Sequence, residues 1–212
     1  MLYEASKRLL DIIISIVALI IFAPIILFTA IAIKLNSKGP LLADTPPRVG
    51  EGGRSFRMYK FRSMVANAHE ILINDPKFKD LLNEYKKGGY KLKDDPRITP
   101  VGRFIRKYSF DEIPQFVNVL KGDMSVVGPR AYYQDELRDQ QKKYPHTKDA
   151  VKIVLSVRPG ITGIWQVTGR SQINFDKRIQ LDASYAKRRS VLYDLYLILK
   201  TPVAMFSGKG AM

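Results

Sequence analysis

Residues 12–33 read IIISIVALIIFAPIILFTAIAI, twenty-two positions without a charge, interrupted by hydroxyl side chains only at Ser15 and Thr29. As one helix at 1.5 Å per residue the run would be roughly 33 Å long, close to the hydrocarbon thickness of a bilayer. A cleavable signal peptide would use Lys7 and Arg8 as its basic flank and Ala30-Ile31-Ala32 as its cleavage site. Its apolar core is ordinarily only about 7–15 residues, so the run is too long for that reading. A spanning helix must instead tolerate Pro24 near its middle, which removes the bond to Ile20 and leaves arms too short to cross separately. Lys7 and Arg8 precede the run and Lys34 and Lys38 follow it, so the positive-inside rule selects no orientation. It is satisfied by a helix broken at Pro24 that enters one leaflet and returns. Spanning and re-entrant forms both put the chain at a membrane, and composition leaves them level.

Outward from this segment the chain is long enough, at 212 residues, for one domain or one domain with an appendage. Residues 1–38 are taken as the membrane segment and 39–212 as the second unit. A formal charge of +15 and a sequence pI near 9.9 call for an anionic partner, whether nucleic acid, acidic lipid or a phosphorylated substrate. The absence of cysteine excludes disulfides and thiolate metal sites, and the two histidines, His69 and His146, stand far apart. A hard cation held by carboxylates and phosphate oxygens, Mg2+ above all, suits this composition better than zinc.

Two adjacent carboxylates, Asp111 and Glu112, lie within Ser109-Phe110-Asp111-Glu112-Ile113-Pro114-Gln115. The spacing of Ile113, Phe116, Val117 and Leu120 predicts a helix buried on that face, starting at or near Asp111 and capped by Gly122. With Asp111 as N-cap, Pro114 falls at the third helical position, where it is harmless. The pair then has two readings: a cap that complements the helix dipole, or a catalytic dyad among basic residues. Met58-Tyr59-Lys60-Phe61-Arg62-Ser63-Met64 predicts a short strand with Lys60 and Arg62 on one face. Residues 65–85 read as polar helices broken at Pro76, followed by a Lys/Gly-rich loop through Lys93, and Asp94-Asp95-Pro96 is either a turn or an acidic metal motif. Gly128-Pro129-Arg130 offers close backbone approach to a ligand and a bidentate clamp for phosphate. Residues 158–170 predict a loop and short strand around the single tryptophan, Trp165, either core or interfacial. Tyr193 to Leu199 suits either a helix on anionic lipid or a buried terminal helix.

In order along the chain, Lys60-Phe61-Arg62-Ser63-Met64, Asp111-Glu112-Ile113-Pro114-Gln115, Asn118 to Ser125, Gly128-Pro129-Arg130 and Arg158 to Gly163 resemble the monotopic bacterial phosphoglycosyl transferases. The resemblance implies an α+β fold, mostly helical with short strands, carrying a re-entrant N-terminal helix and amphipathic interfacial helices. It implies transfer of sugar-1-phosphate from a UDP-sugar to undecaprenyl phosphate through a phosphosugar on Asp111, with release of UMP. Glu112 would help hold Mg2+ or position the acceptor, and Lys60, Arg62, Arg106, Pro129 and Arg130 would serve phosphate binding. Asp182 matches a further acidic residue, in a supporting role. The expected location is the cytoplasmic face of the bacterial inner membrane, with phospholipid as a partner, no nucleic acid, and oligomeric state open, a homodimer included. The chain departs from the family where Ala131 replaces a second proline, where Ala23 precedes Pro24 in place of serine, and in a long 66–92 segment. Gly163-Ile164-Trp165-Gln166 is closest to the catalytic domains of the large hexose-1-phosphate transferases, whose extra N-terminal membrane region has no counterpart in these residues. The sugar is not legible. The rival reading is a membrane-tethered basic binding or scaffold protein, which lacks support from any nucleic-acid-binding signature.

Overall fold

The computed structural model describes residues 2–88, 90, 92, 94–169 and 173–206, with backbone alone at 2, 87, 205 and 206. Two N-terminal helices, α1 (Leu2–Ile21) and α2 (Ala23–Asn36), lead into strands β1 (Arg48–Val49) and β2 (Ser55–Phe56). Helices α3 (Ala68–Asn74), α4 (Lys79–Lys87), α5 (Pro100–Lys107) and α6 (Gln115–Lys121) follow. The remainder comprises β3 (Ser125–Val127), β4 (Tyr132–Tyr133), α7 (Gln134–Lys143), α8 (Lys148–Val154), β5 (Gly160–Thr162), α9 (Ile164–Thr168), α10 (Phe175–Arg188) and α11 (Val191–Phe206). The fold is mostly helical with short strands, as expected. A 3-10 turn at Pro76 separates α3 from α4, also as expected. Much of the loop foreseen through Lys93 lies outside the described residues.

The axes of α1 and α2 differ by 60°. Pro24 sits in the first turn of α2, where its missing N–H leaves no carbonyl stranded inside a helix. Among the described residues no single helix is long and apolar enough to cross a membrane, although the bent pair passes that test together. Polarity along α1 runs opposite to that of a helix in water. Lys7, Asp11 and Ser15, spaced four apart, are buried, whereas Leu9, Ile13, Ile16, Val17 and Ile20 are exposed. Lys7 Nζ pairs with Asp194 at 2.8 Å and donates to the Val127 carbonyl at 3.0 Å. Asp11 accepts from Ser125 Oγ and from the Val126 amide, so the polar stripe of α1 grips β3. Arg8 donates to the carbonyls of Val119 and Leu120, closing the C-terminal end of α6.

α6 itself corrects the predicted face. Gln115, Asn118 and Val119 are buried while Val117 is exposed and Phe116 and Leu120 are half-buried; of the expected set only Ile113 is fully buried. Asn118 turns inward because it accepts from the Tyr59 amide and donates to the Arg57 carbonyl and to Asp123. Gly122 caps the helix at φ 88°, as predicted.

β1 pairs antiparallel with both β2 and β4, setting Arg48 opposite Phe56 and Tyr133. β3 and β5 pair in parallel, with Ser125 opposite Gly160 and Val127 opposite Thr162. Beyond β3, Gly128 and Gly160 lie at a close approach of backbone to backbone. A Cβ on Gly128 would meet the Arg158 carbonyl at 2.5 Å, and one on Gly160 would meet the Gly128 amide at 2.0 Å. These residues let two backbone loops pack against each other. Residues 164–168 form α9 where loop and strand were expected. Trp165 on that helix is buried, and α11 buries Asp194 and Leu197 while Leu192, Leu199 and Val203 are exposed.

Candidate active site

Asp111 and Glu112 lie on a 3-10 turn, Phe110–Glu112, rather than at the start of an α-helix. Ser109 enters that turn in the left-handed region at φ 57°, and its side chain makes no cap bond. Asp111 is therefore not an N-cap, and the regular helix begins only at Gln115. A seven-residue helix starting beyond the pair contributes little macrodipole at the carboxylates. The turn is fixed from the other side by the Phe61 amide, which donates to the Asp111 carbonyl at 2.9 Å. That bond belongs to an extended segment, with isolated bridges at Phe61 and Met64 in place of the predicted strand.

From this segment Lys60 Nζ reaches Glu112 Oε1 at 2.6 Å and stands 3.8 Å from Asp111 Oδ2. The two carboxylates consequently differ. Asp111 is buried, and desolvation pushes it up to about 6 against the attraction of Lys60, with the neighbouring Glu112 charge adding to the rise. Glu112 keeps 39% of its side chain accessible. Burial raises it too, but the Lys60 ion pair and hydrogen bond outweigh this, with Arg130 and Arg48 helping, so it lies below the usual glutamate value. Arg106, in the last turn of α5, adds a positive field at Asp111.

Arg130 is held at its backbone by Asp182, whose Oδ2 accepts from the Arg130 amide at 3.0 Å and from Tyr132 Oη at 3.1 Å. Its guanidinium lies 5.1 Å from the Trp165 ring centroid. Asp182 is fully buried, and desolvation drives its carboxyl up to about 7 against those hydrogen bonds. Pro129 is buried and accepts from the Gly160 amide. Arg62 is engaged elsewhere. Its guanidinium donates to the carbonyls of Ser37 and Lys38, tying down the chain as it leaves α2. Asp95 takes the backbone and side chain of Arg97, which is the turn reading rather than a metal motif.

Sequence spacing missed Arg48 and the pair beneath the site. Arg48 is buried, lies 3.3 Å from the Tyr133 ring centroid, and donates to the Ala131 carbonyl. Glu136 and Arg178 form a buried ion pair at 2.9 Å, and Arg178 also faces the rings of Tyr132 and Trp165. Nothing in the sequence distinguishes these charges from solvated ones. Among the described residues no group of three or more acidic or imidazole side chains is placed to hold a metal. Two carboxylates alone match the donor set of Mg2+, which commonly takes one or two carboxylates and completes its shell with water and substrate phosphate.

A mostly helical domain with a bent apolar helix pair thus sets a carboxylate dyad beside Lys60, within the fields of Arg106 and Arg130. The family model described as bacterial sugar transferase spans residues 2–208, and the chain belongs to that family. An undecaprenyl-phosphate galactose phosphotransferase of Salmonella typhimurium is 43% identical over 97% of this chain and 41% of its own length. A UDP-glucose:undecaprenyl-phosphate glucose-1-phosphate transferase of Klebsiella pneumoniae is 37% identical, again over 97% of this chain and 41% of its own length. The exopolysaccharide production protein ExoY of Sinorhizobium fredii is 36% identical over 97% of this chain and 88% of its own length. The chain thus spans about two fifths of several curated relatives and most of another.

Proposed function

We propose that this chain transfers sugar-1-phosphate from a UDP-sugar to undecaprenyl phosphate, yielding a polyprenyl diphosphosugar and UMP. The observation that carries this reading is Asp111. It is a buried carboxylate that desolvation pushes up to about 6, and Lys60 stands 3.8 Å from it while pairing more closely, at 2.6 Å, with Glu112. An Asp111 oxygen attacks the β-phosphorus and the bond from that phosphorus to the bridging oxygen breaks, so that UMP leaves. A phosphate oxygen of undecaprenyl phosphate then attacks the same phosphorus and the Asp111–phosphorus bond breaks. Lys60, Arg106 and Arg130 offset the charge of an anion attacking an anion. Asp111 and Glu112 would hold Mg2+, which supplies further neutralisation of the diphosphate.

The exposed apolar faces of α1, α2 and α11, with Phe104 of α5 and the adjacent Tyr108, support immersion in one leaflet, which this reading takes to be the cytoplasmic one. On this reading the bent pair α1–α2 is re-entrant, and tags at both ends are accessible only from the cytoplasm. A periplasmic N-terminus would overturn that arrangement. The reaction is tested by incubating the protein with a panel of UDP-sugars, Mg2+ and undecaprenyl phosphate and measuring UMP. Release of UMP with a phosphosugar trapped on Asp111 is expected. No UMP from any sugar, or full turnover by Asp111→Asn, would defeat the proposal.

A further inference from the structure

We propose that the tyrosine-lined cavity beside β1 and β4 receives the uracil nucleoside of the sugar donor. This rests on the UDP-sugar reading above and adds a subsite to it. The cavity has a volume of about 340 Å³, and its walls include Pro46, Tyr85, Tyr90, Tyr133, Gln134 and Asp135. That volume lies in the range of small-ligand sites, roughly 300–1,000 Å³. The rings of Tyr85 and Tyr90 meet edge to face at 5.2 Å, and Tyr90 stands 6.4 Å from Tyr133. Tyr90 is braced by its hydroxyl, which donates to Asp139 at 2.8 Å. The rings of Tyr85, Tyr90 and Tyr133 offer aromatic surface to a planar base, and His69, Arg138, Gln134 and Asp135 give the same walls polar and charged groups. Gln134 and Asp135 are of the chemistry that pairs with the imide edge of uracil, an acceptor for N3–H and a donor for a ring carbonyl.

The cavity adjoins the carboxylate site through one residue. Tyr133 walls the cavity, and its ring carries the Arg48 guanidinium at 3.3 Å. Arg48 also hydrogen-bonds the Ala131 carbonyl, next in chain to Arg130. Tyr133 is three chain steps from Arg130, about 10 Å if extended, a span comparable with that of a nucleotide from base to β-phosphate. A base in the cavity therefore lays its diphosphate past Arg48 toward Arg130, Lys60 and Asp111.

The test is UMP binding by titration calorimetry, with KM for each accepted UDP-sugar, on the full chain and on Tyr85→Ala and Tyr85→Phe. Loss of one base–aromatic stack predicts roughly tenfold weaker UMP binding in Tyr85→Ala and an equal rise in KM for every UDP-sugar. Tyr85→Phe, which keeps the ring, should remain within about twofold of the parent. Because Tyr85→Ala could fold poorly, saturation-transfer NMR on the unmutated protein provides a second reading. Saturating tyrosine ring protons should mark the H5 and H6 protons of UMP, and no transfer would overturn the proposal. Unchanged UMP binding in a folded Tyr85→Ala would overturn it as well. So would normal UMP binding with an altered choice among UDP-sugars, which would assign the cavity to the sugar. Failure of the subsite leaves UDP-sugar turnover intact, whereas failure of the function leaves no turnover to perturb.

Discussion

Two clusters of the same side-chain chemistry act on Arg130, one through Glu112 and one through Glu136. In the first, Lys60 faces Asp111 and Glu112. In the second, Arg178 faces Glu136, with Asp182 holding the Arg130 amide. Glu136 and Arg178 pair closely and are sealed from solvent, so their charges are matched where they sit. One lysine stands between two carboxylates in the first cluster, and the more buried carboxylate is the less well paired. A buried matched pair is a fixture of the fold, whereas an under-compensated carboxylate beside an accessible one retains charge for a substrate.

The sharpest way to break this contrast is to neutralise one member of each cluster. Asp111→Asn should reduce UMP release by more than about a thousandfold, the scale of losing a nucleophile. Its effect on stability should have the opposite sign. The folded-state value of about 6 lies above the unfolded value near 3.9, so the native protein binds more protons between them and stability falls as pH rises through that window. Asparagine removes this penalty, and at pH 8 the variant should be more stable by about 1–3 kcal/mol in a denaturant titration. In the second cluster, Arg178→Met should lower stability by about 3–5 kcal/mol, because Glu136 would be left buried without its partner. Thermal unfolding in detergent would measure it. If Arg178→Met were stable and inactive instead, the two clusters would share one role.

Legibility in the sequence followed the same division. Asp111, Glu112, Lys60 and Arg130 were nominated through the ordered motifs that resemble the family, whereas local pattern alone left the acidic pair open between a helix cap and a dyad. Arg48, Glu136 and Arg178 carried no such mark, since burial is decided by strands and helices far apart in sequence. The bent N-terminal pair followed from Pro24 and an uncharged run. The face of α6 was misread because apolar spacing alone was assigned to the core, whereas hydrogen bonds to Tyr59, Arg57 and Asp123 draw Asn118 inward. In this molecule Val117 is exposed and Asn118 buried. Lys7 and Asp11 repeat the lesson, since charged positions beside an apolar run turned out to be the buried ones.

Asp182 connects the two clusters, so its removal should give an intermediate effect. Asp182→Ala leaves the Arg130 amide and the Tyr132 hydroxyl without their acceptor, which should cost about 1–3 kcal/mol of stability. It should also lower kcat/KM roughly tenfold by loosening the Arg130 loop. Asp182→Asn retains an acceptor oxygen and should recover most of both losses. Recovery of stability without recovery of kcat/KM would move Asp182 from a positioning role into the first cluster.

The smallest effect is a displacement of the pH profile. With Asp111 as nucleophile, kcat/KM should be level above about pH 7 and fall tenfold per unit below about 6, as the carboxyl takes up its proton. Lys60 lowers Asp111 by attraction, while the ionised Glu112 raises it. Lys60→Met therefore removes the attraction, and the acid limb should move upward. Glu112→Gln removes the repulsion, and the limb should move downward. These shifts of opposite sign separate Asp111 from its neighbour, because a profile governed by Glu112 would lose its acid limb altogether in Glu112→Gln. Stability above pH 6 should follow the same ordering, with Lys60→Met the least stable of the three because it leaves both carboxylates unpaired.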